Sequence, residues 1–128
     1  MSWRIAGFSQ EPPRTRDISL MANFITIDSE EGLESLFRAS HAKPVILFKH
    51  SKTCGISNGV FNEVSQVNND INLIIVQNAR NVSNIIAERT GIRHESPQAI
   101  VLKHGKPVYN ASHYDITAED LDSATINF

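Results

Sequence analysis

Residues 45–57 read Val45-Ile46-Leu47-Phe48-Lys49-His50-Ser51-Lys52-Thr53-Cys54-Gly55-Ile56-Ser57. Pro44 opens a continuous apolar run, Val45 to Phe48, of the kind found in strands buried on both faces. A short polar loop follows. From about Cys54 to Val67 the apolar positions Ile56, Val60, Phe61 and Val64 recur at helical spacing. A buried strand thus feeds a helix through a loop that ends on the chain's one cysteine.

The flanking sequence supplies the remaining elements. Before this stretch, Phe24-Ile25-Thr26-Ile27 is a short β-branched strand, and Asp28 or Ser29 caps a helix that runs through Ala39 with Leu33, Leu36 and Phe37 on one face. After it come an apolar strand, Ile71 to Val76, and a helix carrying Val82, Ile85 and Ile86 that ends at Gly91. Pro97 to Leu102 forms a further strand. His104-Gly105-Lys106 turns it into a hairpin with Val108-Tyr109. Thr117-Ala118-Glu119-Asp120 starts a last helix, with Leu121 and Ile126 expected on its apolar side. The order β-α-β-α-β-α-β-β-α implies a mixed sheet, parallel where helices cross over and antiparallel at the closing hairpin, flanked by helices. That is the α/β order of a thioredoxin-like fold.

Bulk properties narrow the function. The chain has 128 residues, 41% hydrophobic and 20% charged, which suits one soluble domain with a real core. Residues 1–22, with Pro12-Pro13 and no sustained period, read as a flexible or loosely docked extension before a domain over 23–128. A net charge of −2 gives no electrostatic case for nucleic acid, and no apolar run approaches a membrane span. No secretory layout is evident at the N-terminus, and a lone cysteine excludes an internal disulfide framework, so the expected location is the cytoplasm.

The chemistry is expected at Cys54. A thiolate at a helix N-terminus faces unpaired N–H groups and the positive end of the helix dipole, which lowers its pKa and makes it a nucleophile. Lys52, and His50 when protonated, add positive charge in the same loop. Thr53 precedes the sulfur, and Gly55 leaves room for a partner to approach. The plain alternative is a small buried hydrophobe. Ser57 stands where a dithiol enzyme carries its resolving cysteine. The motif is therefore C-x-x-S, and an outside thiol must release any mixed disulfide. A second group, Arg93-His94-Glu95-Ser96-Pro97-Gln98, falls where this fold holds a cis-proline against the cysteine and presents backbone at Ser96 to substrate. Arg93 and His94 are suited to carboxylates of a small thiol, against the simpler reading of solvated loop charges. His41, His104 and His113 lack metal-ligand spacing, so no metal is assigned.

The loop 48–57 together with Gly91-Ile92-Arg93-His94-Glu95-Ser96-Pro97-Gln98 resembles the YtxJ-like proteins of the bacillithiol redox system, the monothiol bacilliredoxins, over roughly Phe24 to Ile126. The resemblance implies a thioredoxin-like fold and a thiol-disulfide oxidoreductase in which Cys54 takes bacillithiol from S-thiolated cytosolic proteins as a mixed disulfide. It implies no tightly bound cofactor, only bacillithiol or glutathione as a low-molecular-weight thiol co-substrate. Two other readings stand beside it. Cys54-Gly55-Ile56-Ser57 is one residue from the C-G-F-S motif of glutaredoxins that carry an iron–sulfur cluster, although 104–110 lacks their glutathione-site pattern; a brown colour after anaerobic reconstitution would mark that reading. A non-catalytic binding module would keep its partner after Cys54→Ser. A homodimer through the sheet edge is compatible with the chain but not required by it.

Overall fold

In the computed structural model, residues 22–53 and 55–126 are described. Cys54 lies outside the described residues, as does the extension except Ala22, whose N–H donates to the Ser65 carbonyl at 3.0 Å.

Five strands form one sheet: β1 (Asn23–Thr26), β2 (Val45–His50), β3 (Asp70–Ile75), β4 (Gln98–Lys103) and β5 (Lys106–Ser112). Their spatial order is β1-β3-β2-β4-β5, with β1 and β2 parallel to β3, and β2-β4 and β4-β5 antiparallel. Four helices flank it: α1 (Glu30–Ala39), α2 (Gly55–Val64), α3 (Arg80–Thr90) and α4 (Ala118–Ile126). The expected thioredoxin-like order is the observed one.

Alternation along the strands divides the core in two, because successive side chains leave a strand on opposite faces. Ile46, Phe48, Ile71, Leu73, Ala99 and Val101 pack with Val60, Val64 and Leu121 beneath α2 and α4. Val45, Leu47, Ile74, Ile100 and Leu102 pack with Leu33, Phe37, Val82 and Ile86 beneath α1 and α3. The same parity sends Lys49 to the α1/α3 face and His50 to the α2/α4 face.

The local signals act as their chemistry dictates. Ser29 caps α1 by accepting the Gly32 N–H at 3.0 Å, and Gly91 ends α3 in the left-handed region at φ 72°. His104 and Gly105, at φ 56° and 78°, make the two-residue hairpin turn in which both central residues need positive φ. Two expectations differ from the structure. β2 runs two residues past Phe48, so Lys49 and His50 are strand residues rather than loop. Ile126 is 72% exposed while Leu121 is buried. Five residues at 100° each turn it well away from Leu121, and Ala118 and Ala124 pack there instead.

Candidate active site

The C-terminal end of β2 and the start of β4 meet at one pole of the sheet, because these strands run antiparallel with Lys49 opposite Gln98. That register carries the segment 93–97 to the loop that leads into Cys54, across about forty residues of chain. The Ser96-Pro97 bond is cis, as expected, and Pro97 is buried. Its carbonyl accepts the His113 N–H at 3.0 Å.

The loop 51–53 is held from two sides. Ser57, 0% exposed on the first turn of α2, accepts the Ser51 N–H at 3.3 Å. Gln77, just beyond β3, donates from Nε2 to Ser51 Oγ at 2.7 Å and to Thr53 Oγ1 at 3.3 Å, and its Oε1 accepts the Lys52 N–H at 3.2 Å. Lys52 Nζ donates to Asn78 Oδ1 at 3.5 Å. Gln77 carried no motif, and only its place after a strand parallel to β2 could have singled it out. Gly55 opens α2, and a Cβ built there meets nothing within 4 Å, so the space over the residue after Cys54 is open.

At the end of β2 two adjacent basic residues point to opposite faces of the sheet. The His50 ring sits 5.0 Å from that of Phe61 and 5.9 Å from that of Phe48, and its burial lowers its pKa. Burial therefore works against the protonated form that would add a cation beside the loop. Lys49, which no motif flagged, is 1% exposed and has its pKa lowered to about 8 by desolvation. Its Nζ lies 3.2 Å from His94 Nδ1, and Ser83 Oγ on α3 lies 3.1 Å from the same nitrogen. Burial, then Lys49, lower the His94 pKa. Arg89–Glu34 and His113–Glu95 form ion pairs, and no ion pair between described residues involves Lys49. Arg93 is exposed, and its carbonyl accepts from Gln98 Nε2 at 2.9 Å.

Among the described residues, three buried polar atoms find no partner: His50 Nδ1, Ser96 Oγ and Gln98 Oε1. All belong to this pole. Native interiors leave few such atoms, and here they lie on both faces of the sheet at the end of β2 and the start of β4. Among the described residues no group of His, Cys, Asp and Glu has metal-binding geometry, and no helix is long and apolar enough to cross a membrane.

The comparisons agree with the fold. The chain is similar over 79% of its length, and 92% of the other's, to a solved structure described as "a putative oxidoreductase with a thioredoxin fold", with 33% identity and a TM-score of 0.72. Thioredoxins from Schistosoma mansoni (14% identity, TM-score 0.64, 88% and 99% of the two chains) and Halobacterium salinarum (a point mutant; 14%, 0.62, 88% and 93%) share the fold. Residues 25–121 match the family model described as monothiol bacilliredoxin BrxC. With most of the described chain inside that match, the protein belongs to the monothiol bacilliredoxin family.

Proposed function

We propose that this protein is a monothiol oxidoreductase that removes a small thiol, bacillithiol, from S-thiolated proteins through a mixed disulfide on Cys54. The observation that carries the reading is the join between loop and helix. The chain's one cysteine directly precedes the first residue of α2, and a buried Ser57 stands three residues on where a second thiol would be needed for internal resolution. The Cys54 thiolate attacks the sulfur of the small thiol in the protein-bound disulfide. That S–S bond breaks, a new one forms to Cys54, and the substrate protein leaves as its thiolate. A second small-thiol molecule, as thiolate, then attacks the Cys54 disulfide, leaving as a symmetric small-thiol disulfide and restoring the Cys54 thiolate. Ser57 cannot take the second role, because a hydroxyl forms no disulfide.

The test mixes the protein with a model protein capped by bacillithiol and follows intact mass, with a glutathione-capped substrate in parallel. A mass gain equal to bacillithiol, absent in Cys54→Ser, is expected. Transfer from the glutathione cap alone changes the co-substrate but keeps the chemistry. Absence of transfer from both overturns the reading.

A further inference from the structure

One aromatic ring is left in solvent beside the candidate site. The chain leaves β5 through a single 3-10 turn, His113–Asp115, before α4 begins. Tyr114, in the middle of that turn, is 71% exposed. Among the exposed large apolar side chains of the described residues it is the aromatic one, the others being Ile25, Val108 and Ile126. The turn is tied to the backbone of the site. The His113 N–H donates to the Pro97 carbonyl at 3.0 Å, and His113 Nε2 lies 3.7 Å from Glu95 Oε1. His113 takes φ 56°, a left-handed conformation that residues other than glycine keep only where their surroundings impose it. Ile116, which is buried, closes the turn by donating its N–H to the His113 carbonyl at 3.2 Å. Tyr114 is thus an exposed ring on a fixed backbone, and such a ring loses little entropy on contact.

The charge on this flank is mostly negative. Asp115 follows Tyr114 in the turn, is exposed, and enters neither of the ion pairs Arg89–Glu34 and His113–Glu95. Burial, then Asp120 and Asp115, raise the Tyr109 pKa, so both carboxylates stand near one ring of β5. Residues 107–128 contain no Lys or Arg. The basic groups of this pole gather beside α3 instead, where Lys52 reaches Asn78 and Arg80 acts on His94. An exposed aromatic face next to a carboxylate suits a guanidinium or ammonium, which stacks on the ring and pairs with the oxygens.

We propose that Tyr114 and Asp115 form the contact for a basic side chain, arginine or lysine, flanking the capped cysteine of the substrate protein. The inference rests on the exchange reading above and narrows the protein half of its substrate. A small disulfide meets the Cys54 sulfur with a few bonds, whereas a protein must lay the residues beside its cysteine across the rim that carries this turn. The chemistry of capping favours the same neighbours. A basic residue beside a cysteine lowers its pKa, and the thiolate is the form that enters mixed disulfides. Tyr114 and Asp115 hold the substrate's chain and take no part in the sulfur exchange.

The experiment compares short peptides whose one cysteine is flanked by arginine, serine or glutamate and capped by bacillithiol, with a second set capped by glutathione. The mixed disulfide of each small thiol with 2-mercaptoethanol serves as a substrate without flanks. For the wild type at low salt, KM is lowest for the arginine peptide and highest for the glutamate peptide, and added salt narrows the spread. Tyr114→Ser and Asp115→Asn each raise the arginine-peptide KM about three-fold, the size of an exposed cation–π contact or ion pair. Both leave its kcat unchanged, and likewise the KM of the serine peptide and of the small disulfide. Tyr114→Phe, which keeps the ring, keeps the preference. Because the peptide thiols differ in acidity, each variant is judged by its arginine-to-serine KM ratio against that of the wild type. Equal wild-type KM values across the peptides, or an arginine preference that survives both substitutions, overturn the inference while turnover of the small disulfide keeps the exchange reading. A variant that raises every KM alike acts through the fold and overturns it too. Turnover of no substrate in either set by the wild type removes the exchange reading and this inference together. Both side chains are exposed, so the variants are expected to fold as the wild type does, which a denaturation curve checks.

Discussion

Lys49 carries a stability cost that its neighbours do not repay. Desolvation lowers its pKa from 10.5 to about 8. At about 1.4 kcal/mol per pKa unit, holding it charged in the folded state costs on the order of 3 kcal/mol. Its folded pKa lies below its unfolded one, so between about pH 8 and 10.5 the unfolded chain binds more protons. Stability therefore rises with pH across that window, and the full cost is present below it. Lys49→Met, close in length and uncharged, is expected to raise the unfolding free energy at pH 7 by about 1–3 kcal/mol. The gain shrinks toward pH 10. Urea unfolding at both values checks it, and a variant no more stable than the wild type at pH 7 would remove the cost assigned here. A lysine buried at the candidate site and in no ion pair with a described carboxylate fits a functional role better than a structural one.

At the scale of elements, the loop 51–53 is a connection fixed by side chains beyond its own ends. Its residues bond to Ser57 on α2 and to Gln77 after β3, and β3 is itself aligned there by the Val76 N–H that reaches the His50 carbonyl at 3.0 Å. Gln77 is half-buried, so its loss exposes polar groups that water can satisfy. Gln77→Leu should keep stability within about 1 kcal/mol of the wild type. It should slow exchange on the capped substrate several-fold, because the segment entering Cys54 loses its alignment. Stopped-flow transfer rates beside a denaturation curve separate these effects. A rate equal to that of the wild type would show that the staple has no part in the reaction. The helices are fixed more locally. Thr117 Oγ1 accepts the Asp120 N–H at 3.1 Å, and Glu63 of α2 accepts the Ala118 N–H at 2.9 Å, tying the start of α4 to the helix that begins at the candidate site.

The whole molecule is two cores divided by one sheet. Ile86 of α3 is buried on one face and Val64 of α2 on the other. Ile86→Ala should cost about 2–5 kcal/mol and Val64→Ala about 1–3 kcal/mol. With a sheet between them the double variant should lose their sum within about 0.5 kcal/mol. A larger discrepancy in denaturant midpoints and slopes would mean that the faces communicate through the strands. The sequence by itself determined the elements and their order. Period and caps are local properties: the apolar run 45–48, Ser29 before Glu30, Gly91 after Thr90 and the His104-Gly105 turn each act through atoms a few residues apart. It also marked Cys54 and the 93–98 segment, because a lone cysteine and a proline opening a strand are visible in one dimension. Only the tertiary structure decided where β2 ends, and with it that Lys49 is buried near His94 and that burial between Phe48 and Phe61 lowers the His50 pKa. Gln77 likewise became a site residue only once β3 lay beside β2. Those facts depend on strand parity and on the β2–β4 register, which bring together residues tens of positions apart, and burial then sets charge by removing water.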